Sequence, residues 1–151
     1  MRLISATAAL LALAACNQGT PPEPAVEVEG AIVMLPPIPG RPGAAYFTLA
    51  SNNEPTKLVA VTSPPIERIE LHGTAQDGGV TRMRPLPPDA LVFPGDLKMT
   101  FAPGERHAML FGIDPALKPG DRVTLTFELE PLGPASVDAE VRAFGQSHGA
   151  H

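Results

Sequence analysis

Four side chains that could bind a metal ion lie between residues 72 and 109 of this chain: His72, Met83, His107 and Met109. The whole chain has only four His and five Met, so this window holds an unusual share of both. Imidazole and thioether groups without a thiolate form the ligand set that suits a soft cation such as Cu(I). Taken singly, each Met is more often a core residue and each His more often structural. Only the joint pattern favours a metal site.

The first pair depends on a predicted hairpin. Asp77-Gly78 is a strong signal for a two-residue type I′ turn, which requires positive φ at both central positions. With that turn, His72 and Met83 lie directly opposite each other on one face, with Cβ atoms about 4.5–5.5 Å apart. The alternative turn, Gly78-Gly79, pairs His72 with Pro85 instead. We favour the first, because Pro is a poor member of a ladder.

The second pair follows from the period of a strand. His107 and Met109 are two residues apart, so a strand places both on one face, about 6.5–7 Å apart. One ion between the two pairs would collect two nitrogens and two sulfurs. Whether the two pairs meet does not follow from the residues alone. Met34 and Met99 have no such relation to a His, and we expect them in the core or at an edge.

The elements that must position these residues are short strands. Pro and Gly, 19 and 14 in number, recur at short intervals, which disfavours long helices. Residues 123–129 form the clearest strand, and residues 66–72, 80–86 and 107–113 are strands that would carry the four candidate ligands. We therefore predict an all-β fold, a Greek-key sandwich or barrel of about eight or nine short strands.

The first residues have the form of an export signal. A positive start at Met1-Arg2 and an apolar run from Leu3 to Ala15 precede Cys16, the only cysteine. The Leu-Ala-Ala-Cys sequence resembles the bacterial lipoprotein box, so we predict a signal peptide over residues 1–15 and lipidation of Cys16. The alternative is an ordinary signal cleaved nearby, which leaves a free thiol. Residues 16–25 then form a lipidated, Pro-rich flexible tether, the compartment is extracytoplasmic and oxidising, and Asn17 slightly favours the outer membrane on the rule for enteric bacteria.

Composition limits the other functions. A formal charge of −5 and a pI near 5.3 give no basic surface for nucleic acid. We predict no enzyme activity, because no Gly-x-Ser-x-Gly or Ser-x-x-Lys motif occurs, and we interpret Glu70, Glu105 and Asp114 as solvated surface charge. The folded domain should cover residues 26–144. The tail, residues 145–151, should be disordered, and its His148 and His151 could add a secondary Cu(II) site.

The spacing of the four candidate ligands resembles that of the PCu(A)C family of periplasmic copper chaperones: His, ten residues, Met, about twenty-one residues, then His-x-Met. The first spacing matches, whereas 23 residues lie between Met83 and His107, the surplus falling in a Pro- and Gly-rich stretch. Further similar segments are Ala-Ala-Tyr-Phe-Thr-Leu, Glu-Leu-His, Arg-Met-Arg, Pro-Gly-Glu-Arg-His-Ala-Met-Leu and Leu-Lys-Pro-Gly-Asp. The resemblance covers about residues 26–143.

This resemblance implies a cupredoxin-like β-sandwich that binds one Cu(I) through His72, Met83, His107 and Met109. It also implies delivery of copper to an acceptor, such as a cytochrome c oxidase subunit or another copper chaperone, or a wider role in copper homeostasis. The alternative is a membrane-anchored lipoprotein of the same fold that acts as a structural or interaction module without metal transfer.

Overall fold

The computed structural model describes residues 26–51, 55–95 and 97–145, and nearly all of its regular structure is β. The single helical element there is a short 3-10 helix, Pro88–Leu91. The strands are β1 (Val26–Leu35), β2 (Gly43–Ser51), β3 (Thr56–Thr62), β4 (Ile66–Asp77), β5 (Val80–Pro85), β6 (Val92–Phe93), β7 (Lys98–Phe101), β8 (His107–Ile113), β9 (Arg122–Glu130) and β10 (Ala135–Ala143). The predicted all-β fold is confirmed, with ten strands where about eight or nine were expected.

These strands form one continuous ladder that is open at both ends. The order is β5-β4-β8-β2-β1-β10-β9-β3-β6, and β7 pairs with β2 beside this path. Every pair is antiparallel except β1 with β10, which run parallel. β5, the outer strand of the β4–β5 hairpin, is therefore an edge strand. β4, by contrast, lies between β5 and β8.

Three phenylalanine rings show that the ladder folds over on itself. Phe47 of β2 stacks on Phe101 of β7 at 4.5 Å and meets Phe127 of β9 edge-on at 4.7 Å between ring centroids. β2 and β9 are three strand positions apart, which in a flat sheet is roughly 14 Å at about 4.8 Å per strand. Ring contact at 4.7 Å therefore requires two facing layers, and the rings form the centre of a sandwich core.

Side chains alternate in direction along β8 and β4, and this alternation determines which of them point away from the core. Ala108 and Leu110 of β8 are fully buried, and Ile69 and Leu71 of β4 pack against the same cluster. Because neighbouring residues of a strand point to opposite faces, the residues between them lie on the outer face of the sandwich. That outer face carries the candidate metal ligands.

Candidate metal centre

The predicted register of the β4–β5 hairpin is wrong. Asp77 pairs with Val80, so the central turn residues are Gly78 and Gly79, with φ of +59° and +81°. A type I′ turn needs positive φ at both positions, and two glycines adopt it without the steric cost that Asp77 would incur. His72 is consequently opposite Pro85, and Met83 is opposite Thr74.

The objection to Pro85 fails because β5 is an edge strand. A proline at the end of an edge strand removes no bond from a central ladder. Pairing continues past it, since the backbone N–H of Leu86 donates to the carbonyl of Leu71 at 2.8 Å. The turn therefore sets the register of the hairpin, and this register accommodates a proline at position 85.

The two candidate histidines meet across β4 and β8. His72 and His107 are direct partners in the antiparallel register, and their ring centroids are 6.1 Å apart. Two metal–nitrogen bonds of about 2 Å each, with each nitrogen about 1 Å from its ring centre, span about 6 Å between centroids. That span is reached with the two nitrogens and the ion in line, so the observed 6.1 Å is the upper end of what one shared ion allows.

The two methionines lie on the same outer face but in different surroundings. Met109 is the partner of Glu70 on one side and of Ala44 on the other, so strands flank it on both sides. Met83 lies on edge strand β5 and is 63% exposed. It is the diagonal neighbour of His72, about 7–8 Å away at Cα rather than directly opposite. A long thioether side chain can bridge that distance.

Each imidazole has one ring nitrogen bound to an oxygen that only accepts. Nδ1 of His107 lies 3.1 Å from the carbonyl oxygen of Glu105, and Nε2 of His72 lies 3.0 Å from a carboxylate oxygen of Glu70. A carbonyl or carboxylate oxygen accepts, so these nitrogens carry the protons. When the rings are neutral, Nε2 of His107 and Nδ1 of His72 are therefore the nitrogens that keep a lone pair. Nδ1 of His72 is buried and has no hydrogen-bond partner among the residues that the structure describes.

This pattern is typical of metal-binding histidines, whose second ring nitrogen donates to a carboxylate or backbone carbonyl. The same Glu105 carbonyl also accepts from the Thr74 hydroxyl at 3.1 Å. It thereby ties β4, at the residue opposite Met83, to the loop that precedes His107. An orphaned imidazole nitrogen, a second imidazole in register and two thioethers on one face fit a soft metal ion.

Glu70 is the site residue that the sequence interpretation missed. The sequence predicts solvated surface charge at this position, but the Glu70 side chain is only 34% exposed and contacts His72 at 3.0 Å and Arg68 at 2.7 Å. The available signal was parity, because residues 70 and 72 of one strand share a face.

Other sequence predictions fall outside the described part of the chain. His148, His151, Cys16 and the segments predicted as signal peptide and tether are among the residues without described structure. Within residues 26–51, 55–95 and 97–145, no group of three or more His, Cys, Asp or Glu is placed to hold a metal, and no helix has the length and apolar character of a membrane span.

Comparison with solved structures defines the class of protein: a PCuAC-type β-sandwich domain. The copper-bound PCuAC domain from PmoF2 has a TM-score of 0.63 at 22% identity, with 79% of this chain and 93% of that chain covered, which supports the fold alone. The Cu(I) form of DR1885 from Deinococcus radiodurans is 33% identical over 75% of both chains, with a TM-score of 0.58. Its apo form is 27% identical over 98% of this chain and 99% of that one, with a TM-score of 0.61.

The LpqE-like lipoprotein family matches residues 26–141, nearly the whole described sandwich. The match shows that the chain belongs to the LpqE-like lipoprotein family, and the DR1885 likeness places it with the PCu(A)C copper chaperone family. An uncharacterized protein, RP573 of Rickettsia prowazekii (strain Madrid E), is 38% identical over 85 residues, 56% of this chain. The matched part spans about half of that relative, 46% of its length.

Proposed function

We propose that this protein binds one Cu(I) ion through His72, Met83, His107 and Met109 and carries it to an acceptor outside the cytoplasm. The observation that carries the proposal is the direct pairing of His72 with His107 on the face that also holds both thioethers. An in-register pairing of two imidazoles from strands that are distant in sequence would rarely arise by chance. DR1885 of Deinococcus radiodurans shares this fold and has a solved Cu(I) form, which supports the same cargo here.

The ligand chemistry favours carriage of Cu(I) over electron transfer. Blue-copper centres use a cysteine thiolate as a strong ligand, and this site has none. Thioethers do not form disulfides, so the site would remain functional in an oxidising compartment, with methionine sulfoxide as its main chemical hazard. Transfer to an acceptor also requires ligands that release the ion readily, and exposed Met83 on an edge strand is accessible to an incoming protein.

The acceptor and the location are part of the same proposal. We infer a periplasmic protein anchored through lipidated Cys16, with the outer membrane favoured, and an acceptor in cytochrome c oxidase assembly or copper homeostasis. Membership of a lipoprotein family supports the anchor. Replacement of Cys16 by Ser should abolish incorporation of labelled palmitate, and continued labelling would refute the anchor.

Anaerobic titration with Cu(I) against a chromogenic chelator tests the copper site. We expect one ion per chain, and loss of tight binding in the double variant Met83→Leu, Met109→Leu, which removes both sulfurs at nearly constant volume. The control is Met99→Leu, because Met99 is buried in the core on β7 and cannot reach the site. Equal binding by all three proteins would refute the site and leave the structural lipoprotein as the better interpretation.

A further inference from the structure

Three side chains at alternate positions of β4 form a connected row on the outer face. Arg68 contacts one carboxylate oxygen of Glu70 at 2.7 Å, and the other carboxylate oxygen accepts from Nε2 of His72 at 3.0 Å. The guanidinium of Arg68 also lies over the ring of Phe111, 4.4 Å from its centroid. Phe111 is the direct β8 partner of Arg68, so the strand register itself holds this cation–π contact.

This row of contacts determines which ring nitrogen of His72 can donate a lone pair. Because Glu70 occupies Nε2–H, the imidazole can offer only Nδ1 as a lone-pair donor. That atom is the buried nitrogen for which the described part of the chain offers no hydrogen-bond partner. Glu70 in turn has both oxygens engaged, so its carboxylate is held from two sides. The side chain of His72 is 12% exposed, which leaves little room for the ring to turn over.

The row contributes little to the stability of the fold. Arg68 and Glu70 are 61% and 34% exposed at the side chain, and partly exposed ion pairs stabilise proteins only weakly. Arg68 and Glu70 nonetheless lie directly beside a candidate ligand, and carboxylates in this position orient ligating histidines. Orientation of the ligand explains their arrangement better than stability does.

We infer that Glu70, braced by Arg68, is a positioning residue that selects Nδ1 of His72 as the copper-binding nitrogen. This inference rests on the proposed function for its copper step. Its first part concerns the protein without copper: the neutral ring of His72 carries its proton on Nε2. Its second part is that the ring keeps this proton and binds Cu(I) through Nδ1.

Long-range ¹H–¹⁵N correlation spectra of the histidine rings test both parts, since Cu(I) is diamagnetic. In the copper-free protein with neutral imidazoles, we expect the Nε2–H form of His72 alone. On Cu(I) loading, the Nδ1 resonance should shift while Nε2 stays protonated. A proton on Nδ1 in the copper-free protein, or copper on Nε2, would overturn the inference.

The matched variants are Glu70→Ala and Glu128→Ala. Glu128 is an exposed carboxylate on β9, opposite Ala60 and remote from the outer face of β4 and β8. Glu70→Ala should mix the two neutral forms of His72 and weaken Cu(I) binding about tenfold or more, the usual effect of removing such a partner. Glu128→Ala should change neither.

Amide spectra of each variant confirm that the sandwich is intact, and Glu70→Gln, which keeps an acceptor oxygen of the same reach, provides a second readout. It should restore the Nε2–H form of His72. If Glu70→Ala leaves both the ring and the affinity unchanged, Glu70 is not a positioning residue. Absence of copper binding in every variant would refute the proposed function, while the proton position in the copper-free protein would still decide the role of Glu70.

Discussion

Met83 and Met109 should contribute unequally to Cu(I) binding, because only one of them is held in place before the ion arrives. Met109 has strand neighbours on both sides, whereas Met83 is 63% exposed on an edge strand. Fixing a freely rotating methionine side chain costs up to about 1.5–2 kcal/mol. Met83 must lose that freedom on binding, whereas Met109, which is partly buried and flanked by strands, should lose less of it.

The side-chain entropy that Met83 loses lowers its contribution to the affinity for Cu(I). Since about 1.4 kcal/mol corresponds to a factor of ten, the affinity contributed by the Met83 sulfur should be lower than that of Met109 by up to about tenfold to thirtyfold. Met109→Leu should therefore weaken Cu(I) binding about ten times more than Met83→Leu. Leucine keeps the volume in both variants, and such exchanges cost under about 1.5 kcal/mol of stability.

Competition titration under anaerobic conditions measures both dissociation constants, with Met99→Leu as the control that should leave affinity unchanged. Methyl NMR of the methionines supplies an independent measure, because the Met83 methyl should become ordered on copper loading and the Met109 methyl should change little. A loss for Met83→Leu equal to or larger than that for Met109→Leu would refute the entropic reasoning.

Three further predictions concern the scaffold. Gly112→Ala should lower the free energy of unfolding by about 1–3 kcal/mol, because φ is +62° and a Cβ would collide with the Glu67 side chain; thermal denaturation measures this. Phe127→Ala should cost about 3–5 kcal/mol in chemical denaturation, because its fully buried ring lies at the centre of the core. Arg142→Gln should raise the pKa of the Glu140 carboxyl toward its ordinary 4.5 in an NMR titration, because the Arg142 hydrogen bond and then its charge lower that pKa.

Controls for these predictions come from the same chain. Gly104→Ala shares a positive φ of +81° but meets nothing within 4 Å, so it should cost less than Gly112→Ala. Phe144 is 69% exposed, and Phe144→Ala should hardly change the free energy of unfolding. For Glu140, a lowered folded pKa means a stabilising contribution present above the ordinary value of 4.5 and lost as pH falls through the lowered one. An Arg142→Gln protein with an unchanged carboxyl pKa would contradict this cause.

The strands could be predicted because their signals are local. β9 alternates buried Val123, Leu125 and Phe127 with more exposed residues, and this period of two is visible in the sequence itself. The order of the strands in the sheet has no such local signal in the sequence. The parallel pairing of β1 with β10 joins the two ends of the domain, and the pairing of His72 with His107 joins residues 35 positions apart (107 − 72). Such long-range register depends on packing of the whole core.

Glu70 was missed for a related reason. A carboxylate in a strand is usually solvated, and only its contacts with Arg68 and His72 distinguish it from a surface charge. Those contacts depend on the rotamers of three long side chains, which alternation does not specify. Parity predicts the shared face of residues 68, 70 and 72, whereas the row of hydrogen bonds depends on how the three side chains are placed in the folded protein.

The predicted register of the hairpin is wrong, but the candidate site does not depend on that register. Moving the two-residue turn from Asp77-Gly78 to Gly78-Gly79 shifts the partner of His72 from Met83 to Pro85, a step of two residues. Because side chains alternate with a period of two, this step leaves Met83 on the face of His72. A step of one would have moved its sulfur to the opposite face. The actual turn changes only the distance between Met83 and His72, from directly opposite to diagonal, so Met83 stays a candidate ligand, exposed on its edge strand.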